Sequence, residues 1–480
     1  MLEQLKRLAT GIAGLDALLK GGLVAGASYI VQGRPGSGKT ILANQLSFNH
    51  ARNGGKVLVA TLLSESHERL FQYLSTLKFF DRSLIGDQIQ FVSAFDTLEN
   101  EGLEEVVKLL RREIARQKAT VLVVDGLLNA RTKAESQLDT KKFIAELQGH
   151  AAFAGCTVLF LTSSRLDDGS PEHTMVDGVI EMGEELQGVR SVRRIQLRKT
   201  RGSGALSGLH DCEITDDGLV IYPRLESLYS TPSGPDQADN TRVSTGVPSL
   251  DQIIGGGFAR ASATIAMGPP GVGKTSLGIQ FLAQATPEAP ALYFGFYETP
   301  QRLAIKAASL GLDFDAMQRS GALHICWQPT TEGLLDGLGQ RVLAEVETHG
   351  IKRLLIDSLG GMTRVTTNPA RLSDFFSSLT CELRSRGVTV LVTSEMQGII
   401  GPEIRSPVPD MSSVVDNILV LRFVEYASEL KRMMTILKVR DSLYDPSLFE
   451  VVIGTQGLEF TKAFKQVEAV LTGSASPRSH

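Results

Sequence analysis

The segment TGIAGLDALLKGGL, from Thr10, returns as TGVPSLDQIIGGGF, from Thr245, and the same ungapped offset carries Gly33 to Gly268 and Lys39 to Lys274. A register held over so long a stretch marks a duplicated domain rather than a short motif that happens to recur. A chain of 480 residues has room for two copies, each large enough to bury its own core. Between them STPSGPDQADN, Ser230 to Asn240, is rich in Pro, Gly, Ser and Asp and lacks apolar periodicity, so it reads as a linker. The expected division is a first lobe over 1–227, a linker over 228–241, a second lobe over 242–470 and a short tail over 471–480.

Within each copy, short β-branched and aliphatic runs alternate with longer amphipathic ones. SYIVQG, KVLVATLL, IQFVSAF, TVLVVDG and TVLFLTSS in the first are matched in order by ATIAMG, ALYFGFYE, LHICWQ, RLLIDSL and TVLVTSE in the second. Stretches with apolar positions at helical spacing, such as GLEEVVKLLRREIARQ, separate them. This alternation predicts an α/β fold in which each lobe has a mostly parallel central sheet covered on both faces. After the last core strand, RSVRRIQLRKT and RMMTILKVRDS predict an appended antiparallel hairpin in each lobe.

Composition narrows the class. With 42% hydrophobic and 21% charged residues the chain is globular rather than disordered. No apolar run approaches the roughly 18 to 20 residues that cross a bilayer, and MLEQLKRLATGIAGLD carries charge where a secretory signal needs an apolar core. The expected compartment is the cytoplasm, with no membrane partner. Cys156, Cys212, Cys326 and Cys381 lie far apart without CxxC spacing, which points to free thiols rather than a zinc site or disulfides. A net charge of −4 offers no general attraction for nucleic acid.

The chemistry sits in the repeated loops. GRPGSGKT (Gly33 to Thr40) and GPPGVGKT (Gly268 to Thr275) both fit GxxxxGK[ST], and each follows an apolar strand and precedes an amphipathic helix, the context that the phosphate-binding motif requires. Gly36, Gly38, Gly271 and Gly273 let backbone N–H groups of the two loops, which also include Gly33, Ser37, Gly268 and Val272, converge on phosphate oxygens where a Cβ would intrude. Lys39 and Lys274 can neutralise the β- and γ-phosphates of ATP, and the hydroxyls of Thr40 and Thr275 can coordinate Mg²⁺. The positive end of the following helix points the same way. A glycine-rich loop unrelated to nucleotide is the competing reading, and two full matches in context weigh against it.

A carboxylate must complete each magnesium site from a neighbouring strand. VLVVDG supplies Asp125 and LLIDSL supplies Asp357, each closing an apolar run where an unpartnered charge is costly. To polarise the attacking group the chain offers Glu65 in LSESHERL and Glu298 in FYETPQRL, with Glu68 a weaker candidate. Each of these is equally readable as a solvated carboxylate capping the next helix.

Taken together these motifs resemble the KaiC family, the double-lobed branch of the RecA-like ATPases. The resemblance runs over nearly the whole chain: TGIxGLD before the P-loop, the two-lobe order, the acidic strand ends and a KxRG-like segment late in each lobe. It implies two tandem RecA-like domains and a homo-oligomer, a hexamer, with ATP held between subunits. It further implies that the lysine and arginine of the KxR segment reach a neighbour's nucleotide; these match Lys199 and Arg201, and Lys438 and Arg440. Basic residues pointing outward from a strand are the plainer reading of the same pattern. Adjacent phosphate-accepting hydroxyls in the second lobe match Ser412 and Ser413, counted back from Asp416, although hydroxyls before a strand also serve as caps and turns.

The sequence departs from the family in three places. Ser64-Glu65 and Tyr297-Glu298 stand where tandem glutamates are usual, the strand before Glu65 reads about two residues longer, and the end VLTGSASPRSH is shorter than the tail by which clock members engage KaiA. Two other functions compete. A DNA-dependent RecA-like motor needs basic channel loops, yet SSRLDDGSPEHT and SEMQGIIGPEIRSPVPD offer only Arg165 and Arg405 against several carboxylates. A nucleotide-gated scaffold without turnover is suggested by the missing glutamates.

Overall fold

The computed structural model describes the chain except residues 1–4, 65, 135–136, 164–169, 330–332, 397–407, 409, 427–428, 441–442, 456, 463–466, 469–475 and 478–480. Its contacts divide into two compact units, Met1–Leu228 and Tyr229–His480.

The first unit is built on strands β1 (Ser28–Gln32), β2 (Val57–Thr61), β3 (Ile89–Ser93), β4 (Val121–Asp125), β5 (Thr157–Thr162), β6 (Gly178–Gln187), β7 (Arg190–Thr200), β8 (Leu209–Thr215) and β9 (Gly218–Tyr222). They form one sheet in the order β9-β8-β7-β6-β1-β5-β4-β2-β3. Strands β6-β1-β5-β4-β2-β3 run parallel, and β7, β8 and β9 extend the sheet antiparallel. Alternate residues of the central strands enter opposite cores. Val57, Val59, Val121 and Val123 pack on one face with Leu42, Leu46 and Phe48 of the P-loop helix (Lys39–Arg52). Leu58, Ala60, Leu122 and Val124 pack on the other with Val106 and Leu110 of the helix Leu103–Gln117. A strand buried on both sides reads as a continuous apolar run, which is why these strands stand out in the sequence.

The second unit repeats the plan with β10 (Ala263–Gly268), β11 (Ala291–Gly295), β12 (Leu323–Trp327), β13 (Arg353–Asp357), β14 (Thr389–Glu395), β15 (Asn417–Tyr426), β16 (Glu429–Val439), β17 (Phe449–Gly454) and β18 (Gly457–Lys462). Their order is β12-β11-β13-β14-β10-β15-β16-β17-β18. In both units the antiparallel strands continue the main sheet, and RSVRRIQLRKT is the second strand of a hairpin appended to it, as the sequence predicts. Its partner β6 begins buried and ends exposed, and this change of pattern within one strand conceals it in the sequence.

The repeated TGxxxLD segment has a structural purpose. The Asp16 carboxylate accepts from Thr10 N and Thr10 Oγ1 at 2.8 and 2.7 Å, and Asp251 accepts from Thr245 in the same way and at the same two distances. Both threonines are fully buried, so the carboxylate satisfies polar groups that water cannot reach. The interlobe stretch is fastened to the second unit. Ser233 donates its N–H and hydroxyl to the fully buried Glu382 carboxylate at 2.9 and 2.6 Å, and Arg386 Nε completes that carboxylate at 2.9 Å.

Candidate nucleotide sites

In a parallel sheet ligands gather at the carboxyl ends of the strands. Both P-loops leave their sheets there, from β1 and β10. The first glycine of each loop lies hard against the neighbouring strand: a Cβ on Gly33 would stand 2.1 Å from the Met182 carbonyl oxygen, and one on Gly268 2.4 Å from that of Leu421. Gly38 and Gly273 cap the following helices at φ of 100° and 110°, a left-handed conformation that turns successive N–H groups inward.

Lys39 Nζ donates to the carbonyls of Gly33 and Arg34 at 2.8 and 2.9 Å, and Lys274 Nζ to those of Gly268 and Pro269 at 2.7 and 2.8 Å. Burial pulls both ammonium groups below their ordinary pKa, and nearby carboxylates oppose this. An anion arriving at either loop would restore the charge balance. In the first lobe Thr40 Oγ1 donates to Asp125 Oδ2 at 3.3 Å. These are two hard oxygen donors on adjacent elements, the kind of pair Mg²⁺ takes while phosphate and water fill its other positions. In the second lobe Asp357 is held by the hydroxyls of Thr393 and Tyr293, and Thr275 lines the same cavity. Burial, with Asp357 beside it, raises the pKa of Tyr293 and keeps it a proton donor. Among the described residues there is no group of three or more His, Cys, Asp or Glu placed to hold a metal ion.

The first cavity, about 390 Å³, is lined by Gly36, Lys39, Thr40 and Asp125, and also by His67. His67 belongs to the same LSESHERL segment as Glu65, where no motif marks it. Its Nε2 lies 3.0 Å from Thr61 Oγ1, and burial lowers its pKa. Glu65 itself lies outside the described residues; Glu68 is exposed and 3.5 Å from Arg82. The strand before Glu65 is not longer than its counterpart in the second lobe, and the connection after it is longer by one residue rather than two. β2 and β11 each have five residues, while the helix caps Ser66 and Thr299 follow at unequal distances.

The second cavity, about 330 Å³, contains Lys274, Asp357, Glu298, Tyr297 and Glu395. Glu298 does not cap the helix Pro300–Ser309; Thr299 does, accepting from Arg302 N. The Glu298 carboxylate is paired with Lys306 at 3.8 Å.

The arginines of the basic pairs lie level with the start of the P-loop strands, and the lysines level with their middle. Lys199 pairs with Val179, Arg201 N donates to the Asp177 carbonyl, and Asp177 N donates to Ser28, the first residue of β1. In the second lobe Arg440 N donates to Asp416 and Asp416 N to Ala263, the first residue of β10. Five residues of strand, about 16 Å, separate the level of Arg201 and Arg440 from the P-loop, whereas Lys199 and Lys438 are level with Ile30 and Ile265, about 10 Å from it. Lys199 Nζ donates to the His173 carbonyl, and Lys438 Nζ to the carbonyls of Ser412 and Val415. Ser412 and Ser413 are exposed on the short helix Met411–Val414, where Ser413 Oγ donates to the Asp410 carbonyl at 2.6 Å, a local turn contact. Residues 164–169, 397–407 and 409, which include Arg165 and Arg405, lie outside the described residues. No described helix is long and apolar enough to cross a membrane.

A family model described as the KaiC ATPase matches residues 8–226 and again 243–464. Over 98% of its length the chain is 27% identical to the circadian clock oscillator protein KaiC of Picosynechococcus sp., covering 93% of that protein. It is also 27% identical to the protein of the same name from Thermostichus vulcanus and 26% to that from Synechococcus elongatus, in each case over 98% of this chain and 92% of the relative.

Proposed function

The chain belongs to the KaiC family of ATPases, and on that premise we propose that it binds and hydrolyses ATP in both lobes as a cytoplasmic hexamer and phosphorylates itself on the second lobe. In this reading the two P-loops cradle the phosphates, and Lys39 and Lys274 leave their loop carbonyls to neutralise them. Thr40 with Asp125, and Thr275 with Asp357, hold Mg²⁺, which when bound offsets charge on the phosphate oxygens. Glu65 and Glu298 orient the attacking hydroxyl. The output is a change of conformation read by signalling partners, as the names of the clock relatives suggest.

The observation that carries assembly is the position of the basic pairs. Arg201 and Arg440 stand about 16 Å of strand, and Lys199 and Lys438 about 10 Å, away from their own P-loops, and both lysine ammonium groups are turned to carbonyls beyond them, which speaks against either pair serving its own nucleotide. A ring in which each subunit offers this edge to its neighbour's P-loop gives them a phosphate to bind. Light scattering at micromolar protein should therefore show ATP driving a monomer of 51.8 kDa into a particle of six times that mass. A monomer at every ATP concentration would remove the shared-site reading.

A further inference from the structure

Glu395, the last residue of β14, is a second carboxylate in the second-lobe cavity. Strand β14 lies between β13, which ends at Asp357, and β10, which leads into the P-loop, and Glu395 pairs in register with Gly268, the first residue of that loop. Among the charges around the Lys274 ammonium, Glu395 is the strongest attraction, ahead of Asp357. Its side chain is exposed to the cavity and has no hydrogen bond or ion pair among the described residues. Glu298 faces the same space with its carboxylate already paired to Lys306, and Tyr297 contributes a phenol. The first lobe differs: next to Thr162, which pairs with Gln32 of β1, its cavity has Ser163.

A carboxylate lining the cavity beside Lys274 repels a phosphate bound there unless it has a proton to take. We propose that in the second lobe Glu395 accepts the proton of the attacking hydroxyl, of water or of an acceptor serine, leaving Glu298 to orient it. This rests on the reading that the second lobe binds ATP. The oxygen of the nucleophile forms a bond to the γ-phosphorus as the bond from that phosphorus to the β,γ-bridging oxygen breaks, with its electron pair staying on ADP. The nucleophile's proton passes to a Glu395 carboxylate oxygen and then to solvent. Lys274, which feels the Glu395 charge, neutralises charge gathering on the phosphate.

The test uses the full chain carrying Lys39→Ala, so that only the second lobe turns over, with ATP binding and phosphate release both measured across pH. Glu395→Gln should keep ATP binding within about threefold while phosphate release falls on the order of a hundredfold and loses its acid limb. Glu395→Asp should recover part of the rate together with that limb. The inference is overturned if Glu395→Gln releases phosphate within about threefold of its parent with the acid limb intact, or if it loses ATP binding and rate in equal measure, as a structural tether to Lys274 would. If the Lys39→Ala chain binds no ATP at all, the second-lobe reading itself falls, and this inference with it.

Discussion

Lys39→Ala and Lys274→Ala should each remove about one bound ATP per protomer and leave the other lobe loaded. Each lysine is more than nine-tenths buried, and in the free protein its ammonium rests on two carbonyls of its own loop. Binding exchanges those neutral acceptors for phosphate oxygens, and a charge-assisted contact is worth roughly twice a neutral one. Losing it together with the neutralising charge should weaken ATP at that loop by about 3 kcal/mol, on the order of a hundredfold in affinity. The lobes are separate units with separate cores, so the two effects should add. Equilibrium dialysis with labelled ATP reads the count directly, and a single variant that still holds two nucleotides means its loop has been misassigned.

The second large effect concerns phosphorylation. Changing Ser412 and Ser413 together to alanine should reduce incorporation of ³²P from labelled ATP to background while ATP binding persists, and Glu298→Gln should slow it. In-line transfer needs the acceptor oxygen within about 3 to 3.5 Å of the γ-phosphorus. Both serines precede Asp416, which is level with the start of β10, so they stand about 16 Å of strand from the P-loop of their own chain. In the proposed hexamer, transfer would then cross between subunits. Mixing the double-serine variant, which can bind ATP, with Lys274→Ala, which keeps its acceptors, should restore label to the Lys274→Ala chains. Label persisting in the double variant would place the acceptors elsewhere. An unlabelled parent would mark an ATPase without kinase activity, an outcome to which Tyr297 and the local bond of Ser413 both lend themselves.

How much of this could be seen in the sequence follows from how local each feature is. The core strands and both P-loops are contiguous runs whose meaning needs no partner, and the duplication states each of them twice. Strand β6 escaped because its burial changes along its length. His67 and Glu395 escaped because neither belongs to a motif. One begins a helix and the other ends a strand, and only the sheet order β13-β14-β10 brings Glu395 beside Lys274. The interlobe stretch has a linker's composition, but the fully buried Glu382 that anchors Ser233 lies far along the chain, where no local pattern links the two. The KxR pairs were visible as residues, whereas their separation from their own P-loops is a matter of strand register.

The account stands most directly on ATP turnover measured as phosphate release by the intact chain in the presence of Mg²⁺, alongside the chain carrying both Lys39→Ala and Lys274→Ala. It predicts steady release by the parent, reduced in each single variant and absent in the double. Release by the double variant at the parent's rate, or none by a parent that holds two ATP per protomer, would contradict it.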